Sequence, residues 1–280
     1  MVTSPATNGK KLRGKLDRRF FMRTALLGAA LFLSLATTPT LAAKCSTTGG
    51  NFSAWKVAFA KEAKANGVND KAIRALMATS YATATIRADR NQHSFKLGLK
   101  AFMQKRGAAA IVSQGRRMKA ANAALFARIE DKYGVPAGPL IAIWGMETAF
   151  GRFTGNQNVL SATATLAYDC RRTEFFTDQL YAMLKLVGSG RIPAGAKGAM
   201  HGELGQTQFM PKSVLLYGTG NLNTKEGALA STARFLLAHG WERGEGYQRG
   251  QPNFSAIQGW NAASVYQQAI AIMGKQIDGH

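Results

Sequence analysis

The chain has 280 residues, 46% of them hydrophobic and 18% charged, and its 36 Lys and Arg against 15 Asp and Glu give a formal charge of +21 at pH 7. This composition excludes disordered, collagen-like and disulfide-dense chains: apolar residues suffice for a sizeable core, and there are two cysteines. The basic balance favours polyanionic partners.

Basic residues in the stretch 10–23 precede a short apolar run, 25–36, which leads to Pro39-Thr40-Leu41-Ala42-Ala43 with small residues where a signal peptidase cuts. Residues 1–42 therefore read as a cleaved export signal and 43–280 as the mature domain. The apolar run falls short of the roughly 18 residues of a transmembrane helix, so no membrane span is expected in the mature form. Arg18-Arg19-Phe20-Phe21-Met22-Arg23 resembles the twin-arginine pattern of proteins exported folded. Lys44 before Cys45 argues against a lipid anchor.

Removing the signal leaves 29 basic and 14 acidic residues, about +15. No basic run with interleaved aromatics, zinc pattern or RNA-binding signature favours nucleic acid. The anionic polymers of the cell wall suit an exported protein better, although charge alone does not choose. Cys45 and Cys170 are expected to pair in an oxidising compartment, closing a loop worth on the order of 4 kcal/mol; the alternative is two unrelated buried thiols.

Helical periodicity then runs nearly throughout. Phe52, Trp55, Phe59 and Ala63 mark a first helix. Ile73, Leu76 and Met77 mark a second behind an Asn69-Asp70 cap. Asp89-Arg90-Asn91-Gln92 breaks the pattern; Phe95, Leu99 and Phe102 resume it, and one long helix is predicted over 108–132, with Arg116, Arg117 and Lys119 on a solvated face. Tyr133-Gly134-Val135-Pro136 stops that helix and launches the next. A short apolar segment covers 159–166, further helices are predicted over 171–187, 212–217, 225–239 and 261–275, and 188–205 is a glycine-rich loop where backbone can approach a ligand. No stretch alternates with period two, so the fold class is all-α, with no internal repeat and no linker.

The segment 140–151, Leu-Ile-Ala-Ile-Trp-Gly-Met-Glu-Thr-Ala-Phe-Gly, sets one carboxyl, Glu147, at the end of an apolar helix. On a helix it shares a face with Leu140, Ile143 and Trp144. Desolvation and the negative end of the helix dipole both raise its proton affinity, as a general acid requires. The same residue also fits a carboxyl turned to solvent.

Asp169-Cys170-Arg171-Arg172, the loop Gly202-Glu203-Leu204-Gly205-Gln206-Thr207-Gln208-Phe209-Met210-Pro211, and Trp260, Asn261 and Tyr266 are each weak alone. Amides bind sugar hydroxyl and N-acetyl groups, and aromatic faces pack on sugars; both residue types also serve cores and loops.

In order, these pieces resemble the lytic murein transglycosylase B family, glycoside hydrolase family 103. The resemblance rests on Tyr133-Gly134-Val135-Pro136, Trp144-Gly145-Met146-Glu147-Thr148 with Phe150-Gly151, the stretch 164–172, the 202–211 motif and His239-Gly240-Trp241. It implies a goose-type lysozyme-like catalytic core with additional N-terminal and C-terminal helices, and periplasmic cleavage of peptidoglycan glycan strands by a monomer without cofactor. Glu147 would be the catalytic residue, acid and then base. Gln208, and below it Gln206, would hold the sugar; Arg171 and Arg172 would meet lactyl or peptide carboxylates; Trp260, Asn261 and Tyr266 would line the groove.

Ordinary glycosidases use two carboxyls, and no second acid here is a clear partner: Asp169 and Glu174 flank the disulfide region, and Glu203, in the glycine loop, reads as a family position. The family's reaction needs one, since the muramyl C6 hydroxyl attacks C1 and yields a 1,6-anhydro product. A water-using hydrolase, a non-catalytic wall-binding protein and a nucleic-acid binder remain the rival readings. Two departures stand out. Gly198-Ala199-Met200-His201-Gly202 lacks the hydroxyl of the relatives' Gly-Ser-Trp-Ala-Gly, and the loop 217–224 has no carboxylate where relatives carry an acidic, calcium-binding-like loop, so no metal site is expected.

Overall fold

The computed structural model describes residues 44–91 and 97–279; the predicted export signal and Phe95 lie outside them. The first helices of the described residues are α1 (Phe52–Ala65), α2 (Asp70–Met77), α3 (Thr83–Arg90) and α4 (Leu99–Lys105). As predicted, Asn69 caps α2, its side chain accepting from the Ala72 amide at 3.0 Å. α3 was not legible in the periodicity.

The long helix expected over 108–132 is two, α5 (Ala108–Ala121) and α6 (Ala123–Tyr133). Asn122 leaves helical geometry at φ −127°, ψ 31°; its Nδ2 donates to the Met118 carbonyl, and Lys225 Nζ donates to its Oδ1. Side-chain bonds to local backbone are why Asn favours helix ends. The solvated face expected on α5 is partly spoken for: Arg116 donates to the Gln276 carbonyl, and Lys119 pairs with Asp278 at 2.9 Å.

Gly134, at φ 72°, ends α6, and Pro136 opens α7 (Ala137–Thr148). Then follow β1 (Gln157–Asn158), α8 (Val159–Tyr168), α9 (Thr173–Gly188), β2 (Lys197–Gly198), α10 (Pro211–Tyr217), α11 (Lys225–Ala238), α12 (Phe254–Trp260) and α13 (Ser264–Asp278). The two strands form a minimal antiparallel ribbon, Gln157 opposite Gly198, within the otherwise helical protein. Among the described residues no helix is long and apolar enough to cross a membrane.

Helix α7 is the axis of the fold. All its residues but Glu147 are buried, and α5, α11 and α13 pack around it. A helix apolar on every side belongs in a core. Its crossing with α13 is close because both helices carry glycine there: a Cβ on Gly138 would fall 2.3 Å from the Gly274 carbonyl oxygen. Asp278 at the end of α13 in turn accepts from the Gly138 amide at 2.9 Å, capping α7. This docking brings Tyr266 on α13 to Glu147.

The expected disulfide is present. Cys45 and Cys170 are joined across 125 residues, and Ser46 and Asp169 form a parallel bridge beside them.

Candidate active site

Glu147, next to last in α7, is partly exposed on the wall of a cleft of about 720 Å³. Arg172, Phe175, Glu203, Gln208, Trp260 and Asn261 also line it. Tyr266 donates its hydroxyl to Glu147 Oε1 at 2.5 Å, and Trp260 Nε1 donates to the same oxygen at 3.2 Å. Burial raises the proton affinity of Glu147, the two donors and Arg106 lower it, Glu203 raises it, and the pKa settles at about 7. The carboxyl is thus an acid near neutrality whose ionised form already has two donors in place.

Three non-glycine residues among those described have left-handed backbone: Ala149 at φ 48°, Phe150 at 63° and Gln208 at 54°. Gln208 lines the cleft and the other two follow directly on the end of α7, and such geometry costs on the order of 1 kcal/mol or more at each residue. A small network holds it. Thr148 Oγ1 accepts from the Gly151 amide at 2.9 Å and donates to the Gln206 carbonyl at 2.6 Å, tying the end of α7 to the glycine loop. Leu204 and Phe209 exchange backbone hydrogen bonds at 2.9 Å, closing the tight loop that presents Gln208.

Residues 51–251 match the transglycosylase SLT domain. The chain belongs to that family. It is 36% identical over 122 residues to the membrane-bound lytic murein transglycosylase B of Escherichia coli (strain K12), a stretch covering 40% of this chain and about a third (34%) of that relative's length. SltB3 from Pseudomonas aeruginosa, solved in complex with NAG-anhNAM-pentapeptide, superposes with a TM-score of 0.75 at 27% identity over 82% of this chain and 80% of that one. The Escherichia coli lytic transglycosylase Slt35 in complex with bulgecin A gives 0.69 at 22% identity, over 86% and 97% of the two chains. The architecture is the lysozyme-like one of these transglycosylases.

Within that fold the residues singled out from sequence divide. Gln208 lines the cleft; its Nε2 donates to the carbonyls of Gly205 and Thr154, and its Oε1 has no protein donor among the described residues. Gln206, expected on the sugar, is spent on the protein: its Oε1 accepts from Trp144 Nε1 at 2.9 Å and its Nε2 donates to the Asn223 carbonyl at 2.6 Å. Trp260 and Asn261 line the cleft. Tyr266, expected beside them, is 3% exposed and sits behind Glu147, because α13 packs directly on α7.

Arg171 and Arg172 were expected to meet substrate carboxylates. Both are paired with Asp89 at the end of α3, Arg171 through Nη1 and Arg172 through Nη2, and of the two only Arg172 also lines the cleft. Asp89 is 2% exposed; it read as part of a helix break, and its partners lie more than eighty residues on, beyond any local signal. Sequence reasoning gave His239 no role either. It stacks on Phe235 at 3.8 Å, contacts the Phe235 carbonyl through Nδ1 at 2.7 Å, and lines the cleft.

Proposed function

We propose that this chain is a peptidoglycan lytic transglycosylase that cleaves the β-1,4 bond between N-acetylmuramic acid and N-acetylglucosamine, with Glu147 as acid and then base. The observation that carries the reading is Glu147 itself: a cleft carboxyl with a pKa of about 7, already provided with donors for its ionised form. Family membership and the NAG-anhNAM-pentapeptide bound to SltB3 support the substrate class.

Glu147 gives its proton to the glycosidic oxygen as the bond to C1 breaks. Tyr266 and Trp260 stabilise the carboxylate so formed, while the substrate's N-acetyl oxygen supports the positive charge at C1. The carboxylate then takes the proton of the muramyl C6 hydroxyl as its oxygen bonds C1. Glu147 is acid again, and no water is consumed. Gln208 and Asn261 supply amides for the sugar, and Arg172 a cation for a lactyl or peptide carboxylate.

Export through residues 1–42, a periplasmic site of action, monomeric state and absence of a cofactor belong to the same proposal. Its test is digestion of purified murein followed by mass spectrometry. Anhydro-muropeptides are expected from the wild type and none from Glu147→Gln. Reducing-end products would replace the reading with a water-using hydrolase, and undiminished release by the variant would remove Glu147 from it.

A further inference from the structure

Glu147 shares its cleft with one other carboxyl among the described residues, Glu203 in the glycine loop. The environment of Glu203 is of the opposite kind. Its Oε2 accepts from the His201 backbone amide at 2.9 Å, and its Oε1 lies 3.3 Å from His201 Nδ1. The far side of that imidazole, Nε2, is 3.8 Å from Asp89 Oδ1. Asp89 is itself fixed by Arg171 and Arg172. A chain of groups, Asp89, His201 and Glu203, therefore runs from a buried anchor on α3 to the cleft wall. Burial pushes the Glu203 carboxyl up, but the His201 side chain and the backbone amides outweigh it, and its pKa lies below the usual carboxylate range. One cleft thus holds two carboxyls driven apart, one toward the acid form and one toward the anion, the pattern that separates catalytic roles.

We propose that Glu203 is a positioning residue of the active site, an anion fixed at the cleft wall by His201 and Asp89, whose charge keeps the proton on Glu147 until the glycosidic oxygen takes it. The inference rests on Glu147 being the acid. Burial is the main force holding that proton; Tyr266 and Trp260 favour its loss, and the Arg106 charge acts in the same direction as they do. A like charge on the wall of the same cleft adds to burial in opposing all three. The charged and titratable groups around Glu203 are His201 from its own loop, Asp89 from α3, Arg171 and Arg172 from the turn between α8 and α9, and Glu147 from α7.

The test measures the proton on Glu147 directly. The full chain, carrying carboxyl-13C glutamate, is titrated by NMR as wild type, Glu203→Gln and Glu203→Asp, with the Glu147 signal assigned from Glu147→Gln. Glu203→Gln is expected to lower the proton affinity of Glu147 roughly threefold or more and to move the alkaline limb of murein release to lower pH. Glu203→Asp keeps the charge and is expected to restore most of both. Glu203→Ala, which removes the charge without leaving an amide in its place, is expected to move the midpoint in the same direction and serves if Glu203→Gln does not fold. An unchanged Glu147 midpoint in folded Glu203→Gln, or in folded Glu203→Ala, overturns the inference. Because the midpoint is read without substrate, it stands apart from the function: activity persisting in Glu147→Gln would sink the catalytic reading and leave the Glu203 result to be judged alone.

Discussion

Tyr266 donates its hydroxyl to Glu147 Oε1 at 2.5 Å from a helix that crosses α7 in glycine-mediated contact. The bond favours the ionised carboxyl, so it matters most after the proton has left. Tyr266→Phe is expected to raise the Glu147 pKa and move the alkaline limb of the pH–rate profile upward. It should also lower the maximal rate roughly tenfold or more, the loss of a hydrogen bond to a charged group worth about 1.5–3 kcal/mol. A profile that drops without shifting would mean that Tyr266 only packs.

The raised pKa of Glu147 has a cost in stability. The folded state holds the proton more tightly than the unfolded chain, whose value is near 4.5, so stability falls as pH rises from there through about 7. The full difference corresponds to about 3 kcal/mol. Glu147→Gln keeps the shape and cannot ionise. It is expected to be more stable than wild type at pH 8 by up to about 3 kcal/mol in urea titration and nearly equal to it at pH 4. Equal stability at both would show that Glu147 is not desolvated.

Much of this site was legible because its signals are local. The apolar run around Glu147, the glycines and amides of 202–211 and the stop at Gly134 declare themselves within a few residues. What was hidden depends on partners far away in sequence. Asp89 reads as a helix break until Arg171 and Arg172 are seen to close on it, and Tyr266 reads as a groove aromatic until α13 is docked on α7. Asn122 was missed for another reason: its neighbours keep helical periodicity, and a single residue with local side-chain bonds divides α5 from α6.

Gln206 and Gln208 are two residues apart and are expected to behave differently. Gln206→Ala strands the Trp144 indole and the Asn223 carbonyl, and the Gln206 amide also fills the space beside Gly151, where a Cβ would meet its Oε1 at 2.5 Å. A loss of about 2 kcal/mol is expected in thermal or urea unfolding, with activity falling in step. Gln208→Ala is expected to cost less stability and more activity, seen as a change in murein release at temperatures where the variant is fully folded. The reverse ranking would return the sugar contact to Gln206.

The Cys45–Cys170 bond fixes the segment before α1 to the turn that carries Asp169, Arg171 and Arg172. That turn has its own restraints: Arg90 pairs with Asp169 at 2.6 Å, and Arg171 and Arg172 hold Asp89. The disulfide is therefore expected to act chiefly on the unfolded chain, where closing a loop of 125 residues is worth about 5 kcal/mol. Reduction, or Cys45→Ser with Cys170→Ser, should lower the melting temperature by well over 5 °C while leaving murein release at 20 °C nearly unchanged. If activity at low temperature falls with the bond, then the bond, and not the ion pairs around Asp89, sets the position of Arg172 at the cleft.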